Sequence, residues 1–80
     1  MHELGVLLRT VKMVNRLAEQ ERIAKISFIT LEVGEESGFV PMYLEKLFPL
    51  AVDSFPAVKG AQLRLQMVSG KGLTIRDIGY

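Results

Sequence analysis

Eighty residues make one domain and not two, and a chain this short keeps a large share of its surface in water even when folded. A net charge of +1, with both signs spread along the chain, lacks the basic excess that nucleic-acid backbones demand. No apolar run approaches a membrane span, Glu3 and Arg9 break the order expected of a secretory leader, and the absence of cysteine fits a cytoplasmic protein without disulfides.

The apolar spacing of Leu4, Leu7, Leu8, Val11, Val14 and Ala18 predicts an amphipathic helix over residues 4–20. Glu3 stands at its start, where negative charge suits a helix. Residues 26–33 are rich in β-branched side chains and read as a strand, with Ile29, Leu31 and Val33 on one face and Ile26, Phe28 and Thr30 on the other. Gly34 to Gly38 is a turn by composition. Pro41 then suits the first turn of a second helix, whose buried stripe is Leu44, Leu47, Phe48, Ala51 and Phe55. Pro49 falls inside that pattern and predicts a bend rather than two helices. Met13, Met42 and Met67 have core spacing.

After a connection from Pro56 to Gly60, residues 61–68 alternate, with Leu63, Leu65 and Met67 opposed to Gln62, Arg64 and Gln66. Ser69-Gly70-Lys71-Gly72 is a compact turn before a last strand over Leu73 to Ile78, and the two strands are expected to form an antiparallel hairpin. The predicted fold is α+β: order α-β-α-β-β, two helices packed on one face of a three-stranded mixed sheet, all in a single domain over residues 1–80. The opposite sheet face would carry Ile26 and Phe28 among polar side chains.

The candidate chemistry lies at Met1-His2-Glu3. His2 is the only histidine, so with no cysteine the side chains cannot build a metal cage. A free α-amine titrates just above neutrality and is partly able to coordinate. With the imidazole one residue away and the intervening backbone amides deprotonated, these nitrogens can ring one ion in a near-planar array suited to nickel(II) or copper(II). Protons would compete for the amine and imidazole, so such binding weakens in acid. The ordinary alternative for a histidine at position 2 is a frayed terminus. Glu35 and Glu36 suit a solvated turn better than acid–base work, which needs a pocket that separates their pKa values. Gly70-Lys71-Gly72 is too short for a phosphate loop. No nucleophile–base–acid set is present, and an enzyme is not expected.

Several stretches together resemble a known family. They are Met1-His2-Glu3-Leu4, Leu31-Glu32-Val33-Gly34-Glu35-Glu36-Ser37-Gly38-Phe39-Val40-Pro41, Ala61-Gln62-Leu63, and Ser69-Gly70-Lys71-Gly72-Leu73-Thr74-Ile75-Arg76-Asp77-Ile78. In this order they are similar to HypA, the nickel-delivery accessory protein of nickel–iron hydrogenase maturation. The resemblance implies a nickel site made by Met1, His2 and Glu3, through the terminal amine, the His2 side chain and the following backbone amides. It also implies a nickel-delivery GTPase and a hydrogenase large-subunit precursor as partners, urease being another possible client, and a monomer or weak homodimer. The family normally carries a zinc domain with two Cys-x-x-Cys pairs between its last two strands. Here Val68 runs straight into Ser69, so that domain is absent between them and no zinc is expected; a natural zinc-free relative and an engineered nickel domain both fit this gap.

The expected function is therefore a nickel metallochaperone. Nickel in preference to copper rests on the resemblance alone. The alternative is a metal-independent interaction module in which the Ile26 and Phe28 face does the work.

Overall fold

In a computed structural model, the described backbone runs from His2 to Tyr80 and the described side chains from residue 3 onward. The first helix, α1, spans His2–Gln20. Its inward row, Leu7, Thr10, Val11, Val14 and Ala18, is buried at helical spacing. Thr10 belongs there because its Oγ1 donates to the Val6 carbonyl one turn back, at 2.8 Å. The helix stops by wrapping its own backbone. Arg22 N–H donates to Glu19 O and Ile23 N–H to Ala18 O, with Arg22 in the left-handed region at φ 57°. Ile23 then packs against the core, as the apolar residue after such a stop should.

The chain next runs through β1 (Phe28–Gly34), α2 (Pro41–Val52), β2 (Gln62–Val68) and β3 (Leu73–Gly79), confirming the order α-β-α-β-β. The sheet order is β2-β1-β3. β1 pairs parallel with β2, Phe28 opposite Gln62 through Gly34 opposite Val68. It pairs antiparallel with β3, Phe28 opposite Gly79 and Val33 opposite Leu73. Ile29, Leu31 and Val33 point into the core and are wholly buried.

The expected hairpin between the last two strands does not form. β1 lies between them, because its three inward side chains are covered best in the middle of the sheet. Strands lie about 4.8 Å apart, so β2 and β3 are about 10 Å apart, a gap that a four-residue connection spans easily. Residues 69–72 arch over the end of β1. Gly34 N–H donates to Gly72 O, Glu35 N–H to Val68 O and Glu36 N–H to Gly70 O. A Cβ on Gly34 would stand 2.3 Å from the Gly70 carbonyl oxygen, so only glycine lets the two segments cross this closely.

Other expectations need correction. Ile26 does not share the outer face with Phe28. It precedes β1, donates its N–H to Ala57 O and is buried in the core, because the period-2 alternation does not extend back to it. Met13, Met42 and Met67 are all exposed, since two helices on three strands cannot cover every apolar stripe. Val58, in a stretch read as a plain connection, is wholly buried. α2 continues through Pro49 to Val52 as one helix. Phe55 lies past its end and is only partly buried.

A shift in register between Thr30 and Leu31 moves their β3 partners from Asp77 to Ile75. Arg76 is thereby left unpaired, and Ile75 and Ile78, three apart, both pack on the core. On the outer face the Arg64 guanidinium lies 3.8 Å from the centroid of the Phe28 ring. Arg76 donates to Gln66 across the width of the sheet. This face is thus polar, with its one large apolar side chain half-buried under an arginine.

Candidate metal centre

The sequence-predicted site falls at the first turn of α1. Met1 and the His2 side chain lie outside the described residues. The helical backbone starts at His2, so the amides of His2 and Glu3 belong to the first turn. First-turn amides have no intrahelical acceptor, and using them as metal ligands breaks no hydrogen bond of the helix. The N-terminal end of a helix dipole opposes a cation. Two deprotonated amides would cancel the charge of a divalent ion and remove that objection.

Glu3 is described, and its carboxylate has a definite place. Oε2 accepts the backbone N–H of Val40 at 2.9 Å. Val40 is the N-cap of α2, has extended backbone, and offers no side-chain cap of its own. In a capping box a glutamate of the same helix reaches back to this N–H. Here the glutamate comes from the first turn of another helix, 37 residues away. The carboxylate also sits at the positive end of α2. The start of α1 is thereby tied to the start of α2. Nothing in the local pattern around Val40 signals this partner.

Elsewhere the sequence-level readings of single residues stand as follows. Glu35 and Glu36 are exposed in the turn after β1, and Lys71 is exposed in the arch over it. Among the described residues, no group of three or more histidine, cysteine, aspartate or glutamate side chains gathers to hold a metal. No described helix is long and apolar enough to cross a membrane.

Comparison with known proteins adds what geometry cannot. Residues 1–77 match the family described as hydrogenase/urease nickel incorporation, metallochaperone, HypA. The chain belongs to the HypA family. It is 31% identical over 72 residues to a hydrogenase maturation factor HypA of Deinococcus radiodurans, covering 90% of this chain and 59% of that one. It is 35% identical over 68 residues to the HypA of a Picosynechococcus species, covering 85% and 59%. A Geobacter sulfurreducens HypA is 35% identical over 72 residues, covering 90% and 62%. The chain thus spans about three-fifths of the length of these curated relatives. Its fold is that of the solution structure of the nickel metallochaperone HypA from Helicobacter pylori, with a TM-score of 0.85 over 99% of this chain and 97% of that one, at 13% identity.

Proposed function

We propose that this HypA-family chain is a nickel metallochaperone that takes one Ni(II) as cargo at its N-terminus. The α-amine of Met1, the imidazole of His2 and the backbone amides of His2 and Glu3 hold the ion. It is then passed to a nickel-delivery GTPase and on to a hydrogenase or urease precursor. The observation that carries this reading is the family match, which begins at residue 1 and so includes the terminal tripeptide. The start of α1 at His2 supports it, because the two amides are then free of any helical role.

The chain itself contributes three things to such a site. Its first turn presents the consecutive amide nitrogens of His2 and Glu3. The Glu3–Val40 hydrogen bond holds that turn against the second helix. The apolar row beginning at Leu7 seats the helix on the sheet. We also propose that residues 1–80 are one nickel domain, with the zinc module of the family absent between Val68 and Ser69. The arch over Gly34 closes the fold at that point without any insert.

The test is a calorimetric Ni(II) titration at neutral pH of protein beginning at Met1, of His2→Ala, and of a chain extended before Met1. One-to-one binding that falls by at least about a hundredfold in both altered proteins is expected, a loss of ~2.7 kcal/mol or more. Equal affinity in the extended chain would rule out the α-amine as a ligand.

A further inference from the structure

The two helices leave one flank of the sheet uncovered. α2 packs beside α1, while β3 is an edge strand and the far side of α1 has no helix against it. Between them runs an open groove of about 310 Å³, lined by Met13, Val14, Leu17, Ile75 and Ile78 with Arg16 and Gln20 at its rim. Met13 is 59% exposed and Leu17 41% exposed, so two large apolar side chains of one helix flank face water together. Adjacent exposed apolar side chains beside a groove are a stronger signal than scattered ones.

The lining of the groove carries charge of one sign. Arg16 is the only ionisable lining residue. Arg9, Met13, Arg16 and Gln20 fall at i, i+4, i+7 and i+11, a single stripe along α1. Of the acids of α1, Glu3 falls on another face, while Glu19 stands one turn beyond Arg16 beside the end of the stripe, without an ion pair to it. Among the described residues, neither Arg9 nor Arg16 has a carboxylate within ion-pair distance.

We propose that this groove docks an acidic amphipathic helix of another protein. Apolar side chains of that helix would cover Met13, Leu17 and Ile78, and its carboxylates would meet Arg9 and Arg16. Seven residues separate the two arginines, about 10.5 Å along the axis, so the matching carboxylates stand two turns apart on the partner. A second copy of this chain fits poorly. A two-fold dimer across the groove sets Arg9 and Arg16 of one protomer against those of the other, and like charges facing each other are costly. The groove is remote in role from the nickel site, so this inference does not depend on nickel binding.

The experiment uses the whole chain, free of metal, with labelled methionine and leucine methyl groups. The probe is a synthetic amphipathic helical peptide with leucines along one face and glutamates two turns apart beside them. Its control has lysine in place of each glutamate. The acidic peptide should shift the Met13 and Leu17 methyl signals and bind at least about tenfold tighter than the control. Arg9→Glu with Arg16→Glu should reverse that preference. All four substituted or probed side chains are on the exposed flank, so the fold survives, which a thermal melt checks. Met13→Lys should weaken binding of the acidic peptide without reversing the preference.

Equal affinity for the two peptides, or no shift at Met13 and Leu17 at millimolar acidic peptide, would overturn the proposal. Two other results would do the same by naming another occupant. One is tight binding to phosphatidylglycerol vesicles that the arginine reversals abolish. The other is a concentration-dependent dimer, seen by sedimentation, that Met13→Lys dissolves.

Discussion

The two ends of α1 are held by different physics. At the C-terminal end the chain stops itself: Arg22 and Ile23 donate to the Glu19 and Ala18 carbonyls, all within six residues. At the N-terminal end, Glu3 reaches across to Val40. The first arrangement needs only its own sequence to form. The second exists only when both helices are in place on the sheet. The end that carries the candidate metal ligands is thus the end whose order depends on the tertiary fold. It follows that damage to the core should disturb the N-terminal turn before it disturbs the C-terminal stop.

Leu7→Ala is the hardest test of this difference. Leu7 is wholly buried, one turn after Glu3, and lies closer to the N-terminal end of the helix than to the other. Removing its side chain should cost about 2–4 kcal/mol in a denaturant melt, through lost burial and the cavity left behind. Amide exchange should rise more at Val40, where the Glu3 bond forms, than at Ile23. Equal rises at both would mean that the two ends share one cooperative unit.

A smaller effect is expected from Glu3→Ala. It removes a carboxylate hydrogen bond at a partly exposed helix start, worth about 0.5–1.5 kcal/mol. Val40 exchange should again rise and Ile23 exchange should not. The same variant separates two roles for Glu3. If its backbone amide is the ligand and its carboxylate only positions the turn, one-to-one nickel binding persists with less than about a tenfold loss, roughly 1.4 kcal/mol. Abolished binding in a protein that remains folded would make the carboxylate a ligand.

This contrast also explains which features are legible in the sequence. The elements were legible because their signals are local. The stripe from Leu4 to Ala18, the alternation of Ile29, Leu31 and Val33, and Pro41 at a helix start each lie within a few residues. Strand order was not. Ser69-Gly70-Lys71-Gly72 has the composition of a hairpin turn, and only competition for the central position puts β1 between its neighbours. Gly34, Gly70 and Gly72 are the trace of that crossing, but the first is 36 residues from the second, and each reads singly as a turn residue. Helical spacing placed Met13 near the core without revealing that no element covers that flank. Ile26 lies two residues before β1 begins, so the alternation of the strand does not say which way it faces. At the candidate site, the assignment of Met1, His2 and Glu3 as ligands rests on composition and resemblance. The bond from Glu3 to Val40 was not legible, since a partner 37 residues away leaves no local mark. The groove was hidden for the same reason, being made of one helix and the last strand.

Arg22→Gly should sharpen the comparison from the C-terminal side, by the smallest amount and with the opposite sign. Arg22 holds φ 57°, a left-handed conformation that costs an ordinary L-residue about 1–2 kcal/mol and glycine almost nothing. Glycine loses more backbone entropy on folding, which cancels part of that relief. The side chain is exposed and no hydrogen bond or ion pair anchors it among the described residues, so its removal forfeits little. The net expectation is a gain of about 0.5–1 kcal/mol, or about 2–8 °C in Tm for a domain of this size. The two ends of α1 are separated by a 19-residue helix, so nickel affinity at the other end, some 28 Å away, should not change. If Tm rises and nickel affinity rises with it, the two ends are coupled through the rigidity of α1. In that case the N-terminal turn depends on the whole helix and not on the Glu3–Val40 bond alone.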